Sequence, residues 1–217
     1  ANIGRFTPDH FVTAMTSSGS FSSSCTGFNY IGQPFSYTTV EHPVVSIRAT
    51  NAGGSTRVNY RDDFVKLTDP ATQIGMPAVS TDATNFGADG INLLDLTWAP
   101  AASSLVANDD GTLTFTLGDD QFTYLRNTNS RVAPFTSDVQ LSLASIVDSD
   151  GVSADDLPRT ISPTGIELRC GRMVIPNAYG PETLPLNLMF TTEYFNGISF
   201  VGNGLDSCTY YTLGNFS

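Results

Sequence analysis

The sequence predicts an all-β protein: an Ig-like antiparallel β-sandwich, followed by a second β unit too short to close a sandwich of its own. Three observations predict it. Apolar and polar residues alternate with a period of two in several segments. Turn residues interrupt those segments at the short intervals of sandwiches rather than of parallel α/β folds. No window of 12 residues keeps a 3.6 period framed by helix caps.

The elements follow in chain order. Ser17–Ser24 is a Ser/Gly loop. Val45, Ile47 and Ala49 alternate with Ser46 and Arg48, so one face meets a core and the other meets water. Residues 88–97 come closest to a helical period, with Ile91, Leu93, Leu94 and Leu96, and predict a short helical turn. A meander is predicted over 104–126: Asp109-Asp110-Gly111 precedes a strand with Leu113, Phe115 and Leu117 on one face, and Gly118-Asp119-Asp120 joins it to Phe122-Thr123-Tyr124-Leu125. Val139, Leu141 and Leu143 mark another strand, and Leu184, Leu186, Leu188 and Phe190 another. Asn196-Gly197, set between Tyr194-Phe195 and Ile198-Ser199-Phe200, is the strongest short hairpin signal in the chain.

The segment from Asp148 to Gly165 is rich in turn residues and has no apolar alternation. It sets the predicted organisation: a sandwich over 1–150, a linker or long loop over 151–165, and a second β unit over 166–217. About 52 residues supply three or four strands, fewer than the roughly seven of an Ig-like sandwich. The second unit is therefore expected to pack on the first, to be truncated in this sequence, or to accept a strand from a neighbour.

Composition narrows the function. Of 217 residues only 14% are charged, with 10 Lys+Arg against 21 Asp+Glu, a net charge of −11. Nine of the cations are Arg and the remaining one is Lys66. So few cations argue against nucleic-acid binding, which needs basic patches on phosphates. No run of 18 apolar residues predicts a membrane-spanning helix. The opening Ala1-Asn2-Ile3-Gly4-Arg5 lacks the regions of a signal peptide, so the sequence reads as a processed product or an excised piece. The three cysteines, at 25, 170 and 208, form no Cys-x-x-Cys, which excludes zinc ribbons and thioredoxin-like motifs. An odd count leaves at least one thiol unpaired or paired between chains.

A set of motifs carries a resemblance. They are Ile3-Gly-Arg-Phe-Thr-Pro-Asp-His-Phe11, Cys25-Thr-Gly-Phe-Asn-Tyr-Ile-Gly-Gln-Pro-Phe35, Asn59-Tyr-Arg-Asp-Asp-Phe-Val-Lys-Leu67 and Asp148-Ser-Asp-Gly-Val152. The longest runs from Gly171-Arg-Met-Val-Ile-Pro-Asn-Ala-Tyr-Gly to Leu186, and Glu193-Tyr-Phe-Asn-Gly197 and Asp206-Ser-Cys-Thr209 follow it. In this order the sequence resembles the C-terminal region of the MshQ family of MSHA (mannose-sensitive haemagglutinin) pilus biogenesis and agglutinin-biogenesis proteins. It departs at Cys170, where that family usually has an aromatic residue, and the family chain normally continues past Thr209. The resemblance implies an exported, extracellular setting tied to type IV pili and adhesion, with no catalytic motif. It also favours a Cys25–Cys208 disulfide, since both cysteines stand in family-like motifs and flank loops. Cys170 shares the apolar face of Ile166 and Leu168 and reads as a small buried hydrophobe.

Candidate chemistry is sparse. His10 and His42 are solitary, and no Gly-x-Ser-x-Gly elbow accompanies them, so no nucleophile–base–orienter set is expected. Paired aspartates at 62–63, 109–110, 119–120 and 155–156 read as turn residues. Asp148, Asp150, Asp155 and Asp156 form the one oxygen-rich loop that could take calcium, set against an acidic turn with no ion. Lys66 is the only lysine that an intramolecular isopeptide could use. Tyr194, Phe195, Tyr210 and Tyr211 offer rings for a sugar platform, set against ordinary strand packing. The expected function is therefore non-catalytic and structural or adhesive, in contact with other subunits of a surface assembly or pilus. The alternative is a carbohydrate-binding adhesive module that meets host or surface glycans.

Overall fold

The computed structural model describes residues 7–76, 78–80, 94–126, 131–183 and 188–210. Its strands are β1 (His10–Ser18), β2 (Phe28–Tyr30), β3 (Pro43–Thr50), β4 (Ile74–Gly75), β5 (Ala78–Ser80), β6 (Leu96–Ala99), β7 (Ser104–Ala107), β8 (Thr112–Thr116) and β9 (Gln121–Tyr124). They continue with β10 (Phe135–Thr136), β11 (Gln140–Leu143), β12 (Ser145–Ile146), β13 (Arg159–Ile161), β14 (Glu167–Arg169), β15 (Gly171–Val174), β16 (Thr191–Phe195) and β17 (Phe200–Gly202). The protein is all-β and sandwich-like, built of several small sheets. No helix of the described residues is long and apolar enough to cross a membrane.

The largest sheet is antiparallel, in the order β1-β3-β8-β7. Its residues alternate as the sequence does: in β8 Leu113 and Phe115 are buried while the threonines between them face outward. In two further sheets, β11 is flanked by β13 and β5, and β6 pairs with β9. Val45, Ile47, Leu113 and Phe115 from the large sheet belong to one core with Leu141, Leu143, Ile146 and Ile161. An aromatic cluster fills one end of it. Phe21 stacks on Tyr37 with ring centroids 5.3 Å apart and meets Phe35 and Phe122 edge-on at 5.0 and 5.2 Å. Each such buried side chain contributes about 1.5–3 kcal/mol of transfer free energy.

The structure differs from the sequence expectation in several places. The meander stops after β8: β9 pairs with β6 instead. Gly118 lies against the backbone of Ala102, where a Cβ would collide, and Asp120 accepts hydrogen bonds from Trp98 Nε1 and Ala101 N. That buried carboxylate fixes the chain as it crosses to the other sheet. Of the predicted helical turn, residues 88–93 lie outside the described residues, and Leu96–Ala99 is strand β6. The described helical turns are a 3-10 turn at Asp62–Phe64 and one α-helical turn, Pro70–Gln73, where Asp69 caps the Ala71 amide and Pro70 takes the first turn. Leu184 and Leu186 also lie outside the described residues. Leu188 and Phe190 precede β16 rather than forming a strand. The Asn196-Gly197 hairpin forms between β16 and β17, with Phe195 opposite Phe200. Its loop holds four residues, because Asn196 Oδ1 accepts from the amides of Ile198 and Ser199 and Gly197 takes φ +102°.

Residues 151–165, expected as a linker or long loop, are strapped to the sheets. Ala154 bridges Phe11, Thr164 bridges Ser20, and β13 pairs with β11. Asp156 Oδ2 accepts from the amide and hydroxyl of Thr13, and Arg159 Nε donates to that hydroxyl. These polar side chains face buried partners from the start of the chain, which composition alone reads as exposed turn residues.

Candidate functional site

The C-terminal sheet β15-β16-β17 has a different physical basis from the rest. All 28 buried hydrophobic residues lie between Phe11 and Cys170, so among the described residues this sheet contributes none. Among the described residues, eight of the 14 exposed large hydrophobic ones lie beyond position 170. Phe195 packs against the edge of the main core, and its amide donates to the Cys170 carbonyl. The remaining attachment is a polar seam.

Arg169 is the centre of that seam. Parallel pairing of β14 with β2 places it beside Tyr30. It is 9% exposed, and a buried guanidinium is stable only when its charge and donors are matched. Glu167 pairs with its Nε, and Nη1 donates to Asn203 Oδ1 at 2.8 Å. Its guanidinium lies over two rings, 4.1 Å from the Phe28 centroid and 4.6 Å from that of Tyr194.

The network then runs outward. Asn203 Nδ2 donates to the Tyr30 hydroxyl at 2.6 Å, which donates to Asp206 Oδ2 at 3.0 Å. Burial pushes the Tyr30 hydroxyl pKa up; Asn203 opposes this and Asp206 adds to it. Burial also raises the Asp206 pKa, but hydrogen bonds from the Thr209 side chain and amide, the Thr192 side chain and the Cys208 amide outweigh it and hold the carboxyl at about 2. Gly171 has no alternative, because a Cβ there would enter the Tyr30 ring.

Beside this network Cys25 and Cys208 are joined by a disulfide, with Cα atoms 4.8 Å apart. Thr26 follows suit, its amide and hydroxyl meeting the Ser207 hydroxyl at 3.0 and 2.9 Å. Cys170 is free and buried. A cleft of about 410 Å³ runs along the seam, lined by Tyr30, Gln33, Arg126, Arg172, Met173 and Thr192 among others.

The other candidates lie elsewhere. Asp148 is buried, and it accepts from the amides of Asp150 and Val152 and from the Tyr60 hydroxyl at 3.0 Å. It is the closing acceptor of its own turn. Asp150 is exposed, Asp155 sits 3.7 Å from His10, and Asp156 is taken by Thr13 and Arg159. The four do not converge: among the described residues, the one group of three His, Cys, Asp or Glu side chains with ligand atoms within 4.8 Å is Cys25, Asp206 and Cys208. His10 meets Asp9 and Asp155, whereas His42 Nδ1 donates to the Leu117 carbonyl. Lys66 Nζ donates to the Asp63 carbonyl. Tyr194 and Phe195 are successive in β16 and so face opposite ways; Arg169 covers one and Phe200 packs on the other at 5.6 Å. Tyr210 is exposed, and Tyr211 lies outside the described residues.

Arg169, Asn203 and Tyr30 are the residues that sequence reasoning misses. Their partners are 34 and 173 residues apart, beyond any local pattern. The available signal is that Arg169 is one of only 10 cations and ends a strand between two apolar neighbours.

No curated protein and no solved structure gives a match to this chain. Two family models do match it, DUF6701 third domain over residues 1–166 and DUF6701 fourth domain over 169–217. Arg169 thus opens the second match, and the disulfide joins one match to the other. The chain belongs to the DUF6701 family, of which it carries the third and fourth domains.

Proposed function

We propose that this chain is a non-catalytic structural module of an exported bacterial surface protein, of the MSHA-pilus biogenesis kind its motifs resemble. It acts by assembly and presentation, and its C-terminal sheet pairs with a strand of another subunit. One observation carries the reading: among the described residues the fourth-domain sheet has no buried hydrophobic core and no strand paired on the outer edges of β15 and β17. Unpaired edges template further strands. Exposed Met173 and Ile175 lie on or just after the β15 edge, where an added strand would cover them. The disulfide supports an oxidising, extracellular setting.

Light scattering after size-exclusion chromatography of the unreduced protein tests this. The expected result is concentration-dependent association that Met173→Lys on the β15 edge weakens. A monomer at every concentration contradicts the reading and favours the carbohydrate-binding alternative, for which a glycan array is the next experiment.

A further inference from the structure

We propose that the Cys25–Cys208 disulfide is a redox latch: a modification site at which a dithiol reductant releases the fourth-domain sheet from a core that stays folded. The inference stands on the packing of the seam and does not require the assembly reading.

Three observations carry it. The bond links the third-domain match to the fourth across 183 residues of sequence. With the core folded, the bond holds Cys208 beside Cys25 and so limits how far the C-terminal sheet can move from the body. The sheet it tethers has no buried hydrophobic residue among the described ones, so apart from half-buried Phe195 at the edge of the core its hold is polar: the Arg169 ring contacts, the Tyr30–Asn203–Asp206 network and the Thr26–Ser207 pair. Finally, the two sulfurs are unequal. Cys25 is buried, whereas Cys208 is half-buried and lies between exposed Ser207 and Thr209.

That inequality sets the order of exchange. A thiolate of the dithiol attacks Cys208 Sγ, the S–S bond breaks, and Cys25 leaves as a thiolate that takes up a proton. The second thiol of the reductant then attacks the mixed disulfide, freeing Cys208 as a thiol. The reductant departs as its own disulfide, so two electrons and two protons have passed to the protein. Without the bond, Ser207, Cys208 and Asp206 are held only by hydrogen bonds at a wet surface. The seam then opens along the cleft, and β15–β17 leave as a unit.

Hydrogen exchange read by mass spectrometry on the full chain, before and after dithiothreitol, tests the latch. The expected result is that protection across β15, β16 and β17 falls by roughly 100-fold while that of β1, β3 and β8 stays within about twofold. Unchanged protection in the C-terminal sheet overturns the proposal, since the polar seam would then suffice. Loss that spreads through β3 and β8 overturns it too, since the bond would then support the whole fold. Cys208→Ser should exchange as the reduced protein does and ignore dithiothreitol, and Cys170→Ala should respond as the wild type. If Cys208→Ser does not accumulate, the two redox states of one wild-type sample still decide the matter.

Discussion

The guanidinium of Arg169 lies 4.1 Å from the ring centroid of Phe28, and this contact ties the first residue of the fourth-domain match to the third-domain body. The same guanidinium also lies 4.6 Å from the ring centroid of Tyr194. One side chain thus bonds both parts, and the protein's attachment depends on a charge held between rings.

Arg169→Ala should therefore destabilise the C-terminal sheet more than the core. The change removes both ring contacts, leaves Asn203 Oδ1 without its donor and is expected to cost about 2–4 kcal/mol. Arg169→Lys should recover only part, because an ammonium cannot stack flat between two rings while bonding at both ends. Denaturant melts followed by Tyr194 and Trp98 signals would separate the two regions.

Tyr60 holds the Asp148 turn from inside. Its hydroxyl donates to Asp148 and accepts from the amides of Lys66 and Leu67. Burial is the main reason its pKa lies well above the ordinary tyrosine value. Tyr60→Phe leaves these groups unsatisfied and should cost about 2–3 kcal/mol in a urea melt, with the fold retained.

Calcium should not change the melting temperature by more than about 1 °C, a shift worth a few tenths of a kcal/mol at most for a chain this size. Of the carboxylates proposed for it, Asp148 meets Tyr60 whereas Asp156 meets Thr13 and Arg159, so the two do not share one centre. Scanning calorimetry with chelator and then with excess calcium checks this; a clear upward shift would show an ion site built from other oxygens.

Acid should loosen the seam before the core. Asp206 has a folded pKa near 2 against an ordinary value of 3.8. A depressed carboxyl contributes stability above its unfolded pKa and loses it as pH falls through the folded one. The loss is therefore expected between about pH 4 and pH 2. Exchange protection in β16 and β17 should fall in that window, and Asp206→Asn should remove the dependence while weakening the seam at neutral pH.

Much of the fold is legible because burial follows a local period. Leu113 and Phe115, or Leu141 and Leu143, alternate with polar residues, and each alternation is a strand. The Asn196-Gly197 hairpin is equally local. The strap over 151–165 is not, because Asp156 and Arg159 look like surface charges until Thr13 is brought to them from the start of the chain. The crossing of β9 to β6 was hidden for the same reason, since it depends on Asp120 meeting Trp98 and Ala101. At the seam, Arg169 has no local mark: its partners Phe28, Tyr194 and Asn203 come from three distant segments. Polar networks formed by long-range contact leave no periodic trace.

Completion of the fourth-domain sheet by another chain is the proposal on which the assembly reading rests. Amide exchange along β15 and β17 in the unreduced protein, measured over a wide range of protein concentration, tests it most directly. If another chain adds a strand, protection at these edges rises with concentration while that of β3 and β8 stays constant. Edge protection that does not depend on concentration would contradict it.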